Sequence, residues 1–187
     1  MYLIIIEGTD NIGKDTLKDR LIDIFDIVTI IHCSAPKSAF FKNKEQDKKF
    51  IEYANDIVNG VYDNAQCLVM NRSHYGEYVY GQLYRKRNKQ DILKMIYKVD
   101  DILRSRRDLT IKYIQLISSS IDLRIKNEDG KSLSNMNYEN METETNLFKE
   151  IYALSGLDKL IIDVNDGNDN FKSKDEIYNE VMEFLEK

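Results

Sequence analysis

The chain of 187 residues has no tryptophan, one proline, two histidines and two cysteines. Two thiols, Cys33 and Cys67, cannot build a disulfide framework and lack the spacing of a zinc site, so they read as buried apolar residues. The lone proline, Pro36, falls in a loop after the second apolar run, where a missing N–H does no harm. An excess of positive charge is also lacking. Lys plus Arg number 27 against 32 Asp plus Glu, a net charge of −5, which argues against a protein that grips nucleic-acid backbone. The opening run MYLIIIEGTD has no basic segment, and its apolar stretch stops at Glu7, too short for a signal peptide or a membrane span. Together these absences predict a cytoplasmic protein that takes neither nucleic acid nor a membrane as partner. With 42% hydrophobic and 32% charged residues there is enough to bury one core, and the length fits one domain over 1–187. Ile, Lys, Asn, Tyr and Asp crowd the sequence, and their A/T-rich codons point to an AT-rich source such as a phage or a low-GC bacterium.

Short apolar runs alternate with amphipathic stretches, the βαβα pattern of a three-layer α/β fold with a parallel sheet. Tyr2 to Ile6 is a continuous apolar run, too short for a buried helix, and predicts a central strand covered on both faces. Val28 to Ile31, Cys67 to Met70, Lys112 to Ile117 and Leu160 to Val164 predict four more strands. Between them, helical spacing recurs at Leu17, Leu21 and Ile24. It returns at Phe50, Ile51, Ala54, Ile57 and Val58, closed by Asn59-Gly60, at Ile92, Ile96, Val99 and Leu103, and last at Ile177, Val181 and Phe184. Asn127 to Asn140 is polar, contains glycine, and is the candidate lid of the domain.

Gly8-Thr9-Asp10-Asn11-Ile12-Gly13-Lys14 has the G-x-x-x-x-G-K spacing of a phosphate-binding loop, set between the first strand and the first helix. That chemistry requires glycines so that backbone N–H groups converge on phosphate oxygens, a helix N-terminus whose dipole favours an anion, and a lysine for the β/γ-phosphates. One position departs. The Ser or Thr whose hydroxyl normally holds Mg²⁺ is replaced by Asp15, with Thr16 the nearest hydroxyl. Asp15 either takes over the Mg²⁺ as a harder, more charged ligand or merely favours the helix N-terminus. The donor-binding candidates are therefore Gly8, Asn11, Ile12, Gly13, Lys14, Asp15 and Thr16.

EGTDNIGKDTL resembles the opening of thymidylate kinases, roughly E-G-x-D-x-x-G-K-S-T, and NRSHYGEYVYGQLYR resembles the D-R-x-H-x-G-E-x-V-Y-G-x-x-Y-R run of phage-type thymidylate kinase-like proteins. NEDGKSLS resembles their lid, so the likeness runs from end to end, with the first two motifs the specific ones. The resemblance implies a P-loop kinase fold with a five-stranded parallel sheet and a short lid. It also implies ATP and Mg²⁺ as cofactors, transfer of the γ-phosphoryl to a deoxynucleoside monophosphate such as dTMP, and a homodimer.

Carried over by residue, Lys14 and Arg72 would act in transfer, Asp10 would hold the acceptor 3′-hydroxyl, and Arg72 would clamp the acceptor phosphate. Arg124 would reach across the transferring group or sit on a solvated helix face; Lys126 and Lys131 are weaker lid candidates. Phe50 or Tyr53 would stack on the base, and His74, Tyr75 and Glu77 would line the acceptor pocket. Arg85, Lys86, Arg87 and Lys89 either steer phosphates or form a solvated loop. Asn71 stands where the family carries Asp, so the carboxylate missing there and the one gained at Asp15 would compensate around the metal. Two rivals remain open: a deoxynucleoside kinase, whose Glu-Arg-Ser is as near to Asn71-Arg72-Ser73, and a nucleotide-binding protein without catalysis.

Overall fold

Seven residues, Tyr2–Gly8, form strand β1, and the apolar run is buried on both faces because strands lie on either side and helices above and below. The computed structural model describes residues 1–33, 43–127, 130, 132–134, 137–168 and 170–187; Pro36 and Lys131 lie outside them. After β1 come α1 (Lys14–Ile22), β2 (Val28–His32), α2 (Asn43–Val58), β3 (Cys67–Asn71), α3 (Gly76–Arg85) and α4 (Lys89–Arg104). Then follow β4 (Thr110–Ile117), α5 (Ile121–Lys126), α6 (Tyr138–Leu154), β5 (Asp158–Asp163) and α7 (Lys174–Leu185). The expected five-stranded sheet is there, ordered β2-β3-β1-β4-β5 and parallel throughout.

Alternation along the strands sorts the core into two layers. Leu3, Ile5, Leu68 and Met70 meet α2, α3, α4 and α6, whereas Ile4, Ile6, Cys67 and Val69 meet α1 and α7. The same parity sends Glu7 toward the α2–α3 side and Asn71 toward α1. The chain passes from β3 across β1 to β4, so the direction of strand addition reverses beside β1. In open α/β sheets ligands bind at the carboxyl ends of strands at such a reversal, which here are the ends carrying Gly8 and Asn71-Arg72.

Of the candidate lid, residues 128, 129, 131, 135 and 136 lie outside the described ones, and Tyr138 to Asn140 belong to α6. Asn137 caps that helix by accepting the Asn140 N–H at 2.9 Å, a local signal outweighed in the sequence by the lack of apolar residues. Among the described residues no helix is long and apolar enough to cross a membrane.

Candidate active site

The loop after β1 adopts backbone angles that fit its sequence. Gly8 has φ +142° and Gly13 φ +90°, with Asn11 also left-handed at φ 60°. Gly8 is required twice over, since a Cβ there would lie 2.0 Å from the Leu116 carbonyl oxygen of β4. Gly8→Ala is therefore expected to lower stability by about 2 kcal/mol or more; an unchanged thermal midpoint would show the strand ends are looser than this. Buried Ile12 ties the loop to the core. Gly13 is the N-cap of α1, and no side chain caps that end, leaving first-turn N–H groups for an anion.

Lys14 lies 5% exposed and folds back over the loop, donating to the Thr9 carbonyl oxygen with its Nζ 3.9 Å from Asp10. Burial, aided by the nearby Arg72 charge, lowers its pKa to about 8 against the pull of Asp10, Glu7 and Asp15. Arg72 takes a left-handed φ of 68° at the end of β3, its N–H held by the Ile6 carbonyl at 3.0 Å, and its Nη2 donates to Asp10 Oδ1 at 2.7 Å. Lys14, Asp10 and Arg72 thus meet at one point, with Asp10 between two cations.

Glu7, which the sequence motif does not single out, lies at the centre of this cluster. Its Oε1 accepts three hydrogen bonds, from Ser73 N at 2.5 Å, Ser73 Oγ at 2.9 Å and Gly76 N at 3.0 Å, while Oε2 is buried without a partner. Burial raises this carboxyl above its ordinary range, opposed by the Ser73 bonds and by the charges of Lys14 and Arg72. Glu7 therefore fixes the turn that presents Arg72. It also helps line a narrow cavity of about 20 Å³ with Gln46, Phe50, Arg72, Glu77, Tyr80 and Arg85. Cys33 lines it too, and burial pushes its thiol up to about 12, so it stays protonated.

A second cavity, about 50 Å³, opens beside the loop between α1 and α7, lined by Gly13, Thr16, Leu17, Arg20, Lys174 and Ile177. One phosphate loop thus has a cavity on either face. A wider groove between α2 and α4, lined by Tyr97 and Ile102, shares no residue with the loop.

Not every expected residue reaches the site. Phe50 and Glu77 do line the first cavity, but Tyr53 packs against the apolar core instead. His74 and Tyr75 are corrected: both are fully buried, His74 Nε2 lying 2.9 Å from Asp100 Oδ1 and the Tyr75 hydroxyl bonding Asp100 and Ser155. They pin the start of α3 to α4 and to the end of α6, because the backbone turn at Arg72 sends the following side chains inward. Arg124 does not lie on a solvated helix face. It is 1% exposed and bonded to Glu144 Oε2 at 2.5 Å, the Met141 carbonyl at 2.8 Å and Thr145 Oγ1 at 3.2 Å, all on α6. Tyr84 completes this knot by donating to Glu144 Oε1 at 2.7 Å. Lys126 is exposed.

The supposed solvated basic loop is also corrected in part. Arg85 donates to Glu77 at 2.6 Å, and Arg87 bridges Glu77 at 2.7 Å and Asp47 at 2.6 Å, with both guanidiniums nearly buried. The left-handed Lys86, φ 51°, folds the chain back to bring Arg87 to these partners. Lys86 itself is exposed, and Lys89 pairs with Glu150 at 2.6 Å.

No protein-family model and no curated protein matches the chain. Solved structures do. The YorR protein of Bacillus subtilis, in complex with phosphorylated GDP, superposes with a TM-score of 0.70 at 20% identity, covering 98% of this chain and 95% of that one. Thymidylate kinase of Candida albicans gives 0.59 at 18%, covering 98% and 90%. The deoxyadenosine kinase of M. mycoides with bound dATP gives 0.58 at 13%, covering 99% and 100%. The fold is that of the P-loop kinases. At these identities the likeness speaks for architecture alone.

The residues fit a magnesium ion held in the manner usual for phosphate sites. Among the described residues no group of three or more His, Cys, Asp or Glu could cage a metal. Mg²⁺, however, prefers one or two carboxylates with waters and substrate phosphates. Asp15 beside the loop supplies such a carboxylate.

Proposed function

We propose that the chain is an ATP-dependent phosphotransferase that moves the γ-phosphoryl group to a deoxynucleoside monophosphate, with dTMP as its acceptor. The observation that carries this reading is the meeting of Lys14, Asp10 and Arg72 at one phosphate loop, with a small pocket opening on either face of it. Donor phosphates seated on Gly8 to Lys14 would leave the donor base beside Gly13, among Thr16, Leu17, Arg20, Lys174 and Ile177. On the other face Phe50 offers an apolar wall to an acceptor base, and Arg72 offers the planar, two-pronged cation that an acceptor phosphate requires.

Phosphoryl transfer leaves little covalent work to the protein, so positioning and charge stabilisation carry it. Mg²⁺, when bound, would neutralise charge on the donor phosphate oxygens. Lys14 would take up charge that develops on the transferring group, releasing Thr9 and Asp10. Arg72 would exchange its single Asp10 partner for the acceptor phosphate, freeing the Asp10 carboxylate to accept from a sugar hydroxyl. Closure of the segment between α5 and α6 would exclude water from the transfer.

A second reading, a deoxynucleoside kinase, is favoured by one observation. The unpartnered Glu7 Oε2 in the acceptor cavity is suited to take a proton from a 5′-hydroxyl and ill suited to sit beside a phosphate. Both readings are tested by ADP release from ATP and Mg²⁺ against every common nucleoside and nucleoside monophosphate. Preference for a monophosphate is the expected result. Preference for a free nucleoside would move the assignment to the second reading, and no turnover with any acceptor would leave a nucleotide-binding protein without catalysis.

A further inference from the structure

Asp15 and Asn71, 56 positions apart, touch: Asn71 Nδ2 donates to Asp15 Oδ1 at 2.5 Å. Strand parity brings this about, since Cys67 and Val69 face α1 and Asn71 continues their row. With its amide nitrogen committed to the carboxylate, Asn71 retains only Oδ1, and that atom is buried without a partner in a residue 5% exposed. A buried carbonyl oxygen beside a carboxylate, with no donor to fill it, is a poor neighbour for an anion and a good one for a hard cation. The Asp15 side chain is 80% exposed beside the phosphate loop; the nearest ammonium, Lys18, stands off at 3.9 Å and binds Asp19 at 2.9 Å instead. Thr16, the nearest hydroxyl in sequence, lines the cavities between α1 and α7 with Arg20 and Lys174, on the opposite side of α1 from β3.

We infer that Asp15 supplies the carboxylate for a divalent cation at this loop, with Asn71 as the residue that positions it and offers a second, neutral oxygen. The single negative charge is thereby carried by the helix side of the site and not by the end of β3. This rests on the reading of the loop as a nucleotide phosphate site, which supplies the remaining oxygen ligands together with water.

The test follows Mn²⁺ binding by its electron paramagnetic resonance in the presence of ADP, and ADP affinity by calorimetry with Mg²⁺ and with chelator. The proteins are the parent, D15S, D15N, N71D and D15S/N71D. D15S and D15N are each expected to lose about tenfold or more in Mn²⁺ affinity, while ADP affinity in chelator does not fall, since a negative charge beside the phosphates has been removed. The double variant D15S/N71D, which returns the charge to β3, is expected to recover most of that loss, a non-additive result. N71D alone places two carboxylates in contact, so it is expected to melt below the parent in chelator and to regain its midpoint with Mn²⁺. D15N keeps the shape of Asp15, so a folded D15N guards against a D15S that fails to fold. Undiminished Mn²⁺ affinity in D15N, or strictly additive effects, would overturn the inference alone. Failure of the parent to bind ADP under either condition would overturn the phosphate-site reading and this inference with it.

Discussion

Lys14→Ala is expected to lose phosphoryl transfer by about 10²–10³-fold or more, the cost of removing one preorganised donor from a developing charge, while the protein stays folded. The pH dependence gives the same residue a second signature. Burial and the Arg72 charge lower the Lys14 pKa from 10.5 to about 8. Between those two values the unfolded chain holds a proton that the folded chain has lost, so stability rises with pH across that window. Below about 8 the buried ammonium is instead a burden on the fold, only partly relieved by Thr9 and Asp10. Lys14→Ala should therefore melt no lower than the parent at neutral pH, and any gain should shrink toward pH 10.5. Donor phosphates bind the charged amine, so ATP affinity of the parent should fall as pH rises through about 8, and the variant should lack that fall. Melting curves and calorimetric titrations with ATP across this range decide it. An unfolded variant, or an ATP affinity that ignores pH, would mean that Lys14 is a core residue and not a phosphate ligand.

Much of the site is legible in the sequence where its chemistry is local. The strand, Gly8, Gly13, Lys14 and the helix after them are contiguous, so spacing alone places them, and the α/β fold with its parallel sheet follows from alternating runs. Glu7 escaped because it looks like the mere end of an apolar run; its role depends on Ser73 and Gly76, more than sixty positions away. His74 and Tyr75 were misplaced because a motif orders residues along the chain, whereas the left-handed turn at Arg72 decides which side chains face the cavity. Arg87 reads as part of a solvated loop because its partners Glu77 and Asp47 become neighbours only when Lys86 folds the chain back, whereas Arg85 reaches Glu77 along α3 itself. The meeting of Asn71 with Asp15, by contrast, was within reach: counting by twos along β3 from Cys67 puts Asn71 on the α1 face.

Arg72→Lys is expected to weaken acceptor binding by about ten- to a hundredfold, since a charge-assisted hydrogen bond contributes about 1.5–3 kcal/mol and one ammonium replaces a two-pronged contact. The substitution isolates the guanidinium. Lysine and arginine are both unbranched at Cβ, so the strain of the left-handed φ of 68° is matched, and the Ile6 carbonyl still holds the backbone N–H. Charge is matched as well, leaving the fork geometry as the difference. In the ligand-free protein Arg72 Nη2 already reaches Asp10 at 2.7 Å, with the guanidinium half-exposed beside the acceptor cavity, so its other nitrogens can meet a phosphate without moving the backbone. The loss should appear as a raised KM for a monophosphate acceptor with ATP affinity unchanged, because Arg72 lines the cavity proposed for the acceptor and not the one proposed for the donor. With a free nucleoside, which offers no phosphate to clamp, the variant should match the parent in KM. A monophosphate KM equal to the parent's would make Arg72 a partner of Asp10 and nothing more, whereas equal losses on nucleoside and monophosphate would place its role in the shape of the turn.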